Sequence, residues 1–104
     1  MRKGYWIARF DVSDMEQYRR YVAANAGTLA EYGARFIVRG GSCEATEGTH
    51  RERNVVVEFP SYAAALDCYR SDGYQAAIAL RRPVAVADFL IIEGYDGPQP
   101  GATP

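Results

Sequence analysis

Apolar positions along the chain alternate between a period of two and a period of three to four. The switches predict the order strand, helix, strand, strand, helix, strand. Gly4 to Val12 is rich in aromatic and β-branched types and predicts a strand. Ser13, followed three residues later by Glu16, is a capping-box pattern that opens a helix. Met15, Tyr18, Val22, Leu29 and Tyr32 then fall on one helical face, with Asn25 on the same stripe and Gly33 at the helix end. Ala34 to Gly41 predicts the second strand and Ser42 to Arg51 a polar hairpin. Arg53 to Phe59 predicts the third strand, stopped by Pro60-Ser61. The second helix carries Tyr62, Leu66 and Tyr69 on one side. It breaks at Ser71-Asp72-Gly73, resumes to about Arg81 and gives way to a fourth strand over Ala87 to Tyr95.

This order is the split-βαβ, ferredoxin-like βαββαβ arrangement: an α+β fold with a four-stranded antiparallel sheet and the helices on one face. One domain over residues 1–97 is expected, with residues 98–104 a flexible or extended tail.

Side chains alternate across a strand. Alternation assigns Trp6, Ala8, Phe10, Phe36, Val38, Val55, Val57, Phe59, Leu90 and Ile92 to a charge-free face beneath the helices. The opposite face is assigned Tyr5, Ile7, Arg9, Ile37, Arg39, Asn54, Val56, Glu58, Phe89, Ile91 and Glu93. That second face is too apolar to remain in water. A second copy covering it is the economical solution, giving a homodimer and an eight-stranded dimeric α+β barrel. Arg9, Arg39, Glu58 and Glu93 are then enclosed, as a balanced ion-pair network or as the polar patch of a small-molecule pocket.

Composition narrows the function classes. The 104 residues include 12 basic and 13 acidic side chains, and no basic block stands out. Nucleic-acid binding and an electrostatic membrane anchor are therefore not expected. No apolar run has spanning length and no secretory leader is visible, so a cytoplasmic protein is expected. Cys43 and Cys68 lack metal-ligand spacing and read as free thiols. Neither a metal nor another cofactor is expected.

Several segments resemble one family. They are Gly4-Tyr5-Trp6-Ile7-Ala8, Tyr32-Gly33-Ala34-Arg35-Phe36, Val38-Arg39-Gly40-Gly41, Glu47-Gly48-Thr49 and Val57-Glu58-Phe59-Pro60-Ser61. To these are added Tyr69-Arg70-Ser71, Tyr74-Gln75, Arg81 and Glu93-Gly94-Tyr95. Together they resemble the bacterial domain of unknown function 1330 family over about residues 3 to 97. Asp72-Gly73 departs from the proline and acidic residue usual there. The resemblance implies the dimeric α+β barrel fold. That superfamily includes cofactor-free monooxygenases and muconolactone isomerase, and the family itself has no established activity.

Candidate chemistry centres on Arg39, whose guanidinium can fork to a carboxylate or polarise a carbonyl and whose structural partner would be Glu58. His50, the single histidine, is the default general base, so Arg39, Glu58 and His50 form the candidate catalytic set. Arg9, Asn25, Tyr74, Arg81 and Glu93 are candidate ligand-binding residues. Asn25 is a buried amide needing partners, and Tyr74 and Arg81 share a helix face. Three functions fit: a cofactor-independent enzyme of isomerase, dehydratase, decarboxylase or monooxygenase type acting on a small acid or carbonyl compound, a non-catalytic small-molecule binder, and a structural dimeric module.

Overall fold

A computed structural model of the chain describes residues 2–101; the end of the expected tail, residues 102–104, lies outside the described residues. The elements are β1 (Gly4–Val12), α1 (Met15–Glu31), β2 (Arg35–Arg39), β3 (Arg53–Phe59), α2 (Tyr62–Arg70), α3 (Asp72–Arg81), a 3-10 turn (Arg82–Val84) and β4 (Ala85–Glu93). The strands form one antiparallel sheet in the order β2-β3-β1-β4.

Local chemistry sets the helix ends. α1 is capped by Asp14, whose carboxylate accepts the Gln17 N–H at 3.1 Å, and not by Ser13 as the capping-box pattern predicts. Ser13 is engaged elsewhere: its N–H and Oγ both donate to the Val84 carbonyl, at 2.8 and 3.1 Å. The far end closes through Gly33 at φ 74°. The Gly33 N–H donates to Ala30 O and the Ala34 N–H to Leu29 O, a Schellman closure. The break in the second helix falls at Ser71. Its Oγ donates to Cys68 O at 2.7 Å, ending α2, and accepts the Tyr74 N–H at 3.2 Å, starting α3. On α2 the buried residues are Ala65 and Cys68, whereas Tyr62 is exposed.

The core lies between the sheet and the helices and is largely aromatic. Trp6 is 4.9 Å from Phe59, 4.7 Å from Tyr74 and 5.2 Å from Phe89, ring centre to ring centre. Its indole N–H donates to Ala65 O at 2.9 Å, so the buried ring leaves no donor unmet.

β1 and β3 present the expected residues to the helices; β4 and the end of β2 do not. Trp6 is opposite Ile91 and Ala8 is opposite Phe89, so Phe89 and Ile91 face the helices while Leu90 and Ile92 face outward. In β2 the register shifts between Phe36 and Val38. Phe36 is opposite Val57, but Val38 is opposite Val56 and Arg39 is opposite Val55. The irregularity turns Val38 outward and Arg39 toward the helix side, reversing both assignments.

α2 seats directly on β1, β3 and β4, whereas α1 packs chiefly on α3. That approach needs Gly73, because a Cβ there would collide with Thr28 Oγ1. With α1 held against α3, a gap opens between α1 and the β2–β3 side of the sheet.

Candidate functional site

The gap is a cavity of about 300 Å³, at the lower end of the range for small-ligand sites. α1 contributes Met15, Tyr18, Arg19, Tyr21, Val22, Asn25 and Leu29. The sheet contributes Trp6, Ala8, Phe10, Phe36, Arg39, Arg53, Val55, Val57 and Phe89. Exposed Met15, Arg19, Phe36 and Arg39 mark the mouth; buried Trp6, Phe10, Tyr21, Asn25 and Leu29 form the interior.

Two properties distinguish this cavity from a packing gap. The first is the state of Asn25. The residue is 6% exposed, yet its side-chain amide makes no hydrogen bond to any described residue. Among the described residues the one sealed, unpartnered side-chain polar atom is Arg81 Nε, so the Asn25 amide keeps contact with the cavity space. Buried amides are ordinarily paired.

The second property is charge. Arg19, Arg39 and Arg53 line the cavity, and no Asp, Glu or His does. Elsewhere Arg2 is matched with Glu93 and Asp96, Arg9 with Asp88, Arg20 with Glu16, Arg35 and Lys3 with Glu58, and Arg51 with Asp11 and Asp88, while Arg70, Arg81 and Arg82 pair with no carboxylate among the described residues. None of the three cavity arginines has a carboxylate partner among the described residues. Arg39 lies instead over the Phe36 ring at 4.0 Å, and Arg53 over the Tyr18 ring at 5.2 Å.

A layer of phenols and one further arginine lies behind the wall. Tyr21 and Tyr74 join hydroxyl to hydroxyl at 2.6 Å. Arg81, 4% exposed, sits 5.0 Å from the Phe10 ring centre, 5.2 Å from Tyr21 and 5.9 Å from Phe89. Burial raises the Tyr18 and Tyr74 phenols above their ordinary values, so both remain protonated donors at neutral pH.

The structure separates the expected catalytic set. Arg39 is at the cavity mouth on the helix side. Glu58 is on the outer face, accepting from Tyr5 Oη at 3.3 Å, so the Arg39–Glu58 pair is not formed. His50 stands exposed in the loop between β2 and β3, beside Arg9, whose guanidinium donates to Thr49 O. Glu93 is exposed and held by Arg2. Of the expected ligand-binding residues, Asn25 lines the cavity, while Tyr74 and Arg81 lie one layer behind it. Arg53, Tyr18 and Tyr21 were not singled out by sequence reasoning. Arg53 had a usable signal: it shares the inward parity of Val55 and Val57.

Among the described residues no group of three or more His, Cys, Asp and Glu could hold a metal ion. No helix among them is long and apolar enough to cross a membrane.

Comparison with known proteins bears on the fold. The family described as "Domain of unknown function (DUF1330)" matches residues 3–95. A protein of unknown function from Rhodopseudomonas palustris superposes with a TM-score of 0.76 at 14% identity, covering 92% of this chain and 85% of that one. SnoaB, a cofactor-independent oxygenase from Streptomyces nogalater, superposes with a TM-score of 0.64 at 12% identity, covering 93% and 97%. A dimeric ferredoxin-like protein of unknown function from Thermobifida fusca gives 0.57 at 16% identity, covering 88% and 89%. No curated protein matches the sequence. Identities this low establish the shared ferredoxin-like fold and nothing about activity.

Proposed function

The chain belongs to the domain of unknown function 1330 family, and from that premise we propose that it takes a small apolar acid or carbonyl compound into the cavity between α1 and the sheet. The observation that carries the reading is Asn25, a buried amide that lines the cavity with no hydrogen-bond partner among the described residues. A ligand oxygen would satisfy it. Arg39 at the mouth and Arg53 on the wall supply charge-assisted donors, and the aromatic and aliphatic walls accept the ligand's body.

Such a site stabilises negative charge on a ligand oxygen, as an enolate, phenolate or carboxylate requires. No carboxylate or imidazole among the described residues lines the cavity, so its own contribution is electrophilic, with phenols and guanidinium groups as donors. The arrangement suits an isomerase, dehydratase or oxygenase acting on such a compound, and a cofactor-independent oxygenase shares the fold. A non-catalytic binder would use the same cavity and is distinguished by the absence of product.

We also propose that the protein is a homodimer closed through the outer sheet face. Ile7, Val38, Leu90 and Ile92 are 36%, 42%, 50% and 49% exposed there, and Val56 lies among them. The face assigned from alternation differs in its members but not in its apolar character. A second copy is the self-complementary cover, and the dimeric neighbour of the same fold supports it.

Thermal denaturation with benzoate, 1-naphthoate and 2-hydroxy-1,4-naphthoquinone tests the site. At least one should raise the melting temperature of the native protein, with the rise lost in Asn25→Leu and Arg39→Met. No rise with any compound, or an equal rise in both variants, would overturn the assignment. Mass spectrometry of the same incubations separates enzyme from binder.

A further inference from the structure

Arg81 is a buried charge for which no described residue supplies a counter-charge. It is 4% exposed, its Nε has no hydrogen-bond partner, and no carboxylate among the described residues pairs with it. Buried guanidinium groups are normally paired, because an unpaired ion in a low-dielectric interior is costly. The rings of Phe10, Tyr21 and Phe89 offset part of that cost through their faces. All three rings also line the cavity, so the charge is one ring away from the ligand space.

The charges around this point are all of one sign. Arg19, Arg39 and Arg53 lie on the cavity wall and Arg81 behind it, and the neighbouring titratable groups are the phenols of Tyr18, Tyr21 and Tyr74. Tyr21 links the two layers: it lines the cavity, carries Arg81 near its ring and shares its hydroxyl with Tyr74.

We infer that Arg81 is a specificity-determining residue that makes the cavity select the ionised form of its ligand, the anion being the counter-charge that the protein withholds. The inference rests on the cavity being the ligand site. It narrows the ligand class from acid or carbonyl compound to an oxyanion: a carboxylate, phenolate or enolate on an apolar frame. Arg19 and Arg39 at the mouth are exposed to water and act at entry. Arg81, dry and fixed, favours charge on a group already inside.

The test compares 4-nitrophenolate with its uncharged O-methyl ether, 4-nitroanisole, by titration calorimetry at a pH where the phenol is ionised. The native protein should bind the phenolate more tightly than the ether by about tenfold or more, the scale of attraction between unit charges about 10 Å apart at an effective dielectric constant of about 20. Arg81→Met should remove most of that preference while the ether still binds, and Arg81→Lys should retain part of it. Arg82→Met removes an exposed cation next along the chain that does not line the cavity, so the preference should survive there unchanged. Equal binding of phenolate and ether by the native protein, or a preference undiminished in Arg81→Met, would overturn the inference. So would a preference lost equally in Arg82→Met. Binding of neither compound to the native protein would remove the cavity as the site, whereas loss of the preference alone would leave the site standing.

Discussion

The hydroxyl of Tyr21 on α1 meets that of Tyr74 on α3 at 2.6 Å, joining the cavity wall to the deepest part of the core. Tyr74 is fully buried, whereas Tyr21 also faces the cavity. The two single substitutions therefore differ. Tyr21→Phe strands a phenol that water does not reach and should cost about 1–3 kcal/mol. Tyr74→Phe leaves the Tyr21 hydroxyl its access to the cavity and should cost less. The double variant should be more stable than the sum of the two losses predicts, a coupling read by urea denaturation of all four proteins.

The contact between α1 and α3 carries a second prediction. A Cβ at Gly73 collides with Thr28 Oγ1, so Gly73→Ala should destabilise by about 1–3 kcal/mol. Thr28→Ala removes the obstructing hydroxyl and should restore most of the loss in the Gly73→Ala background. Melting temperatures of the two singles and the double decide this.

The two thiols should behave oppositely. Cys43 is exposed and should be alkylated rapidly in the native protein. Burial pushes the Cys68 thiol up to about 12, so it should react only when the chain opens. The stability linked to that proton is fully present below the unfolded value of 9.0 and is lost as pH rises toward the folded value. Alkylation followed by mass spectrometry should show one modification in native protein and two in urea.

The outer face predicts assembly. Leu90→Lys places a charge within the exposed apolar patch and should shift the protein to monomer at micromolar concentration. Ala76→Lys, on an exposed helical position away from that face, should not. Sedimentation velocity distinguishes the outcomes, and a native protein already monomeric would contradict the closed barrel.

Much of the architecture was legible in the residues because β1 and β3 alternate without interruption and Gly33 and Ser71 carry clear end signals. β4 was not, because Phe89-Leu90-Ile91-Ile92 is an unbroken apolar run that fits either phase. Glu93 was assigned outward together with Phe89 and Ile91, but it lies at the strand end, where Arg2 reaches it. Asp88, opposite Arg9, marks the other phase, the one the strand adopts. Arg39 was recognised as a candidate and assigned to the wrong side. A register shift between Phe36 and Val38 depends on pairing with β3 and leaves no trace in a single strand's pattern. Asn25 was legible because an amide on an apolar helical stripe demands an explanation. The cavity it faces was not, since it arises from how α1 leans on α3.

Chemical-shift mapping with 1-naphthoate tests the ligand site most directly. Backbone amide signals of Tyr18, Asn25, Arg39 and Arg53 should move together and saturate, with Asn25→Leu abolishing the response. Shifts confined to Ile7, Leu90 and Ile92 on the outer face, or no saturable shift at all, would contradict the placement of the site between α1 and the sheet.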